Sequence, residues 1–154
     1  MSRYRRILVP GGTYFFTLAL ADRSSTMLTD DIDRLRTAYA QVQSSLPFTT
    51  VAICVLPDHM HAIWTLPAND ADYSGRWQKI KAAFSKGRPP APDRSASKAA
   101  KGEKGIWQRR FWEHHIADDL DLERHINYVH FKKAAGLLAD GVESRRGGDD
   151  GGPR

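Results

Sequence analysis

The sequence predicts an α+β protein: a ferredoxin-like βαββαβ sandwich with an additional C-terminal helix. Three observations predict it. The apolar pattern alternates between period two and period 3.6 in the order strand, helix, strand, strand, helix, strand, helix. Only a Pro57-Asp58 turn parts the second strand from the third, as a hairpin requires. The chain has 154 residues, of which 41% are hydrophobic, enough for one core without covalent staples.

Each element has its own signal. A basic start, "SRYRRILVPGG", closes in a Pro-Gly-Gly turn, and "TYFFTLALADR" follows as the first strand, rich in aromatic and β-branched residues. "STMLTDDIDRLRTAYAQVQSSL" changes period: Thr29 or Asp30 can cap a helix whose Ile32, Leu35, Ala38, Tyr39 and Val42 share a face, and Pro47 ends it. "FTTVAICVLP" and "HMHAIWTLP" are the hairpin strands, and "DYSGRWQKIKAAFSKG" is a helix with Trp77, Ile80 and Phe84 along one side. Residues 87–105, rich in Pro, Gly, Ser, Ala and Lys, read as a mobile basic loop inside the domain, because too little chain follows to build a second core. "IWQRRFWEHHIAD" is the fourth strand and "DDLDLERHINYVHFKKAAGLL" the last helix. Residues 1–140 form the domain, and 141–154 are a polar, Gly-rich tail expected to be disordered.

Charge and cysteine content narrow the function. A net charge of +5 and a pI near 9.5 favour a polyanionic partner, nucleic acid before membrane surface. From Tyr73 to Trp112 there are eleven Lys or Arg against two acids. Within it Arg76, Lys79, Arg109 and Arg110 border Trp77, Trp107 and Trp112, and cations beside rings are what unpaired nucleotides bind. Each tryptophan alone reads first as a core residue. Arg3, Arg5 and Arg6 make a separate N-terminal arm. The one cysteine, Cys54, lies in an apolar run and reads as a buried hydrophobe in a reducing compartment. Neither a signal peptide nor a run able to span a bilayer is visible, so the expectation is a cytoplasmic protein without a membrane partner.

The chemistry concentrates in two places. His59 and His61 alternate with Met60, Ala62 and Trp64, so one strand can offer two imidazoles on one face and an apolar surface on the other. Such a pair can bind one metal ion; two structural or surface histidines give the same pattern. In the last helix Tyr128 shares a side with His125 and Lys132. A phenol with a pKa near 10 becomes a nucleophile only beside a cation or metal, and a tyrosine packed at the core edge fits the spacing equally well. His114 and His115 must face opposite sides of the fourth strand, in an order the residues leave open.

The segments "SRYRRILVPGGTYFFTLALADR", "LPDHMHAIWTLP", "DYSGRWQKIKAAFSKG" and "IWQRRFWEHHIADDLDLERHINYVHFKKAAGLL" together resemble the REP-associated tyrosine transposases, a branch of the HUH (His-hydrophobic-His) single-strand nucleases. The resemblance spans nearly everything from Ser2 to Leu138 apart from the 87–105 loop. It implies that His59 and His61 hold Mg²⁺ or Mn²⁺ at the scissile phosphate of hairpin-forming single-stranded DNA. Tyr128 would then attack phosphorus, leaving a 5′-phosphotyrosine link and a free 3′-OH that can later rejoin the strand. The monomer and the homodimer both occur among such enzymes. There is one departure. Asn or Gln usually follows four residues after the tyrosine as a third ligand, often with proline next, whereas this chain has Lys132 and Lys133. A protonated ammonium cannot ligate a metal. Three outcomes stay open: Lys132 steadies the phenolate or a phosphate oxygen, a ligand comes from His125, His130 or Asn127, or the protein binds DNA without cutting it. A zinc hydrolase built on the histidine pair would lack a third ligand and a Glu base at motif spacing.

Overall fold

A computed structural model describes residues 6–139. Arg3, Arg5 and the 141–154 tail lie outside the described residues. The elements are β1 (Thr13–Ala19), α1 (Met27–Asp30), α2 (Ile32–Ser45), β2 (Thr49–Val55), β3 (His59–Thr65), α3 (Tyr73–Ser85), α4 (Ala96–Ala100), β4 (Trp112–His115) and α5 (Asp119–Ala139). The four strands form one antiparallel sheet in the order β2-β3-β1-β4, which is the ferredoxin-like arrangement the sequence predicts.

Alternation along β1 and β3 splits the apolar residues between two cores. Tyr14, Phe16, Leu18, Met60, Ala62 and Trp64 face α2 and α3 and are almost wholly buried with Trp77, Ile80 and Phe84. Trp64 stacks on Trp77 at 4.2 Å and on Phe48 at 3.9 Å, and its indole N–H donates to Tyr39 at 2.8 Å. The opposite face carries a smaller core: Phe15, Ala52, Cys54, Leu56, Ile63 and Ile116 against Val129, with Leu122 and Ile126 packed at its margin. Those three α5 residues recur at helical spacing, so α5 lies flat on the sheet. Gly136 lets it come close, since a Cβ there would sit 2.6 Å from Leu56 Cδ2. An extra residue at Val51 shifts the β2–β3 register between Thr50 and Ala52, which turns Ala52 and Cys54 towards α5.

Four expectations need correction. The helix expected over 25–46 is broken at Asp31, which leaves helical geometry (φ −110°, ψ 40°) while its carboxylate takes a hydrogen bond from Arg88. The fourth strand is far shorter than 106–118: only Trp112–His115 pairs with β1. Trp107 turns its indole into the larger core and donates to Ser85 Oγ at 3.2 Å, with a single antiparallel bridge to Leu20, just beyond the end of β1. Residues 87–105 are organised, not a free loop. They contain α4, capped by Ser95, and Arg94, Lys98 and Lys104 each donate to a backbone carbonyl, of Glu103, Trp107 and Ser85. Finally, Trp64, Trp77 and Trp107 are buried as expected, but Trp112 is 58% exposed.

Candidate active site

The site forms on the sheet face covered by α5. His59 and His61 point to it from β3, with ring centroids 5.1 Å apart. Each ring is held through Nδ1. Thr17 Oγ1, the cross-strand neighbour on β1, lies 2.9 Å from His61 Nδ1, and Asp58 Oδ1 lies 2.9 Å from His59 Nδ1. Arg23 Nε donates to the other oxygen of Asp58 at 2.6 Å. Burial alone would raise the Asp58 pKa, but the hydrogen bonds from His59 and Arg23 outweigh it and keep the carboxyl below its usual range. With Nδ1 occupied, Nε2 is the atom each imidazole has left for an ion, and His61 Nε2 is buried without a hydrogen-bond partner. A buried nitrogen left bare beside a second imidazole fits a divalent cation. Thr17 and Asp58 escaped the sequence reading. Asp58 is at least adjacent to His59, but no sequence signal marks Thr17.

Burial, then the charges of His59 and Lys132, push the His61 pKa down to about 4. His61 therefore stays neutral and able to ligate at physiological pH. An unfolded chain takes this proton near pH 6.5, while the folded one refuses it until about pH 4. Stability of the metal-free protein is thus expected to fall between those values as pH drops and to lose nothing further from this residue below them. Urea titrations at pH 7 and pH 5 test this, and the decline should be smaller in His61→Gln.

Tyr128 meets the pair from α5. Its ring stands edge-on to His61 at 5.3 Å and to Phe15 at 5.8 Å, and it is 43% exposed. Lys132, one turn further on, is close enough for its charge to depress His61. His59, His61, Tyr128 and Lys132 are therefore brought together. Among the described residues no third His, Cys, Asp or Glu completes a ligand set with the pair. His125 does not supply it: among the described residues it groups with His114 and Asp121, its Nδ1 2.9 Å from the Asp121 carbonyl and 3.1 Å from Oδ1. Asn127 and His130 are exposed. The register of β4 settles the neighbouring histidines: His114 pairs with Phe15 and faces α5, while His115 pairs with Tyr14 on the other side.

The expected DNA-contacting cations are dispersed. Arg76 is a correction: it is 2% exposed, and its guanidinium donates to the carbonyls of Leu46, Pro47 and Asp72 and to Asp70 Oδ2, all at 2.8–2.9 Å. It ties the end of α2 to the start of α3 and has no surface to offer. Lys79 is exposed, but on α3, in the layer away from the histidines. Arg109 is exposed and bonded to Glu103 and Ser97. Arg6 is drawn inward, where Nη1 donates to buried Glu113 at 2.6 Å and the guanidinium lies 4.2 Å over Phe111. With Arg110, Phe111 and Trp112 it lines an open cleft of about 460 Å³ along the β4 edge. Trp112 pairs with Thr17, so its ring stands on the histidine side of the sheet. Among the described residues no helix is long and apolar enough to cross a membrane.

No family model matches the chain. A Haemophilus influenzae protein named for the REP-associated tyrosine transposases is 47% identical over 132 residues, 85% of this chain and 75% of its own length. The REP-associated tyrosine transposase of Escherichia coli is 44% identical over 130 residues, 84% of this chain and 71% of its own. A solved REP-associated tyrosine transposase, bound to a REP hairpin, superposes with a TM-score of 0.74 at 42% identity, covering 88% of this chain and 74% of that one. A transposase structure from Deinococcus radiodurans, at 15% identity and a TM-score of 0.51, shares the fold alone.

Proposed function

Because the chain belongs to the REP-associated tyrosine transposases, we propose that it binds hairpin-forming single-stranded DNA and cuts and rejoins it through Tyr128. The observation that carries this reading is the meeting of the Tyr128 ring with His61, whose Nε2 is buried and bare. His59 and His61 would hold Mg²⁺ or Mn²⁺ through their Nε2 atoms, and such an ion polarises a scissile phosphate when bound. The phenol oxygen of Tyr128 forms the new bond to phosphorus as the P–O3′ bond breaks. The phenol gives up its proton, and the departing 3′-oxygen leaves as a hydroxyl. Lys132 offers its ammonium to the developing phenolate or to a phosphate oxygen, a role open to it because it cannot serve as a ligand.

Around this centre, Arg110, Arg6 and Trp112 supply phosphate and base contacts along the β4 edge, Lys79 and Arg109 contact more distant phosphates, and Arg3 and Arg5 grip the stem. The protein works in the cytoplasm as a monomer or homodimer. Trp112→Ala is expected to weaken binding of a hairpin with a single-stranded flank by roughly tenfold, in line with the usual worth of base stacking, while leaving a blunt hairpin unaffected. Fluorescence anisotropy with the two oligonucleotides reads the difference.

The deciding experiment incubates the protein with an end-labelled hairpin and Mn²⁺ and runs a denaturing gel. A protein-linked band that vanishes with EDTA is expected. One observation favours a second reading, DNA binding without cleavage: Lys132 stands beside the pair where a third ligand would be useful. Salt-sensitive binding with no linked band under any divalent ion would establish that reading instead.

A further inference from the structure

We propose that His114, Asp121 and His125 form a second metal site, separate from the histidine pair, which takes a zinc-class divalent ion and fastens the first turns of α5 to β4. The strand register turns His114 towards α5, and Asp121 and His125 stand one turn apart on the same side of that helix. His114 Nε2 lies 2.9 Å and 3.2 Å from Asp121 Oδ2 and Oδ1, and His125 Nδ1 lies 3.1 Å from Asp121 Oδ1. One ligand atom from each residue falls within 4.8 Å of the others. Bonds of about 2.0–2.1 Å at tetrahedral angles separate ligand atoms by about 3.3 Å, so two of the three edges already have the right length.

The donors decide the kind of ion. Two imidazole nitrogens and one carboxylate oxygen suit zinc and its neighbours, whereas Mg²⁺ prefers a shell of oxygens. The carboxylate is pre-oriented, because Asp121 Oδ2 accepts the Ala117 N–H at 2.8 Å and leaves Oδ1 towards the rings. The side chains are 37%, 19% and 25% exposed in chain order, which leaves an entry path and room for water as a fourth ligand. Without an ion, His114 Nε2 donates to the Asp121 carboxylate and His125 Nδ1 donates to the Asp121 carbonyl at 2.9 Å, with Oδ1 3.1 Å away. An ion would take the place of the protons on those two nitrogens, each neutral ring then carrying its one proton on the other nitrogen. Phe15 stands between this site and the pair: its ring lies 4.9 Å from His125 and 5.5 Å from His61. His125 precedes Tyr128 by three residues, so the ion would also set where the tyrosine stands.

The site does not depend on the transposase reading and is tested without DNA. In a His59→Ala/His61→Ala chain, Co²⁺ is expected to bind at one equivalent with visible tetrahedral bands, to be displaced by Zn²⁺ but not by equimolar Mg²⁺, and to raise the melting temperature. Adding Asp121→Asn, or His114→Ala at the sheet edge, should abolish the bands. In the otherwise unaltered chain, Asp121→Asn should lower the Co²⁺ stoichiometry by one. Absence of Co²⁺ binding in the folded pair-less chain, binding that survives both ligand substitutions, or displacement by equimolar Mg²⁺ would overturn the proposal.

Discussion

Tyr128→Phe is expected to eliminate the covalent protein–DNA adduct and to slow strand cleavage on the order of 10³-fold or more, while hairpin affinity stays within about twofold. The substitution removes one oxygen and nothing that holds the fold. Among the described residues the Tyr128 hydroxyl has no hydrogen-bond partner, and the ring keeps its edge contacts with His61 and Phe15. Stability should therefore change by less than about 0.5 kcal/mol, as for most surface substitutions. Loss of the proposed nucleophile, by contrast, would remove the reaction path, and what remained would come from binding and electrostatics. A denaturing gel for the adduct, single-turnover kinetics for cleavage and a filter-binding titration separate the three quantities. An adduct of undiminished yield in Tyr128→Phe would transfer the attack to another side chain.

Arg76→Met is expected to destabilise the fold by about 1–3 kcal/mol, a sizeable part of what a domain this size has to lose. Methionine replaces the volume but none of the donors. The carbonyls of Leu46, Pro47 and Asp72 would lose the guanidinium that now joins them, and Asp70 would lose the hydrogen bond that now holds its carboxyl below the usual range. The expected readout is a lower urea midpoint with an unchanged slope. At a temperature where the variant is folded, its hairpin affinity should equal that of the parent chain. A selective loss of affinity would mean that Arg76 reaches DNA after all.

Arg76 also shows how far the sequence could be read. Its type and its place in a basic stretch point outwards, but the side chain packs between α2 and α3, and local pattern carries no information about that long-range contact. Trp112 errs in the opposite sense: a ring in an apolar, aromatic run reads as core, yet it falls on the open edge of the sheet. The strand expected over 106–118 is split instead: Trp107 keeps its bridge to Leu20, Trp112–His115 pairs with β1, and Arg109, Arg110 and Phe111 between them leave the ladder. What was legible rests on periodicity. The alternation His59-Met60-His61-Ala62 fixed which face bears the imidazoles; Ile126 and Val129 were legible as apolar positions of α5, but Leu120, which shares their apolar character, is 55% exposed, and Leu122 completes the face that meets the sheet. The second-sphere atoms, Thr17 Oγ1 and the Asp58 carboxylate, come from cross-strand pairing and a turn, and neither leaves a periodic trace.

The same alternation guards the hairpin against mispairing. A slip of β3 by one residue would drive two imidazoles into the aromatic interior and strand Met60, Ala62 and Trp64 under the last helix. The two imidazoles thus double as an alignment key, and the fold becomes harder to assemble wrongly because it carries them.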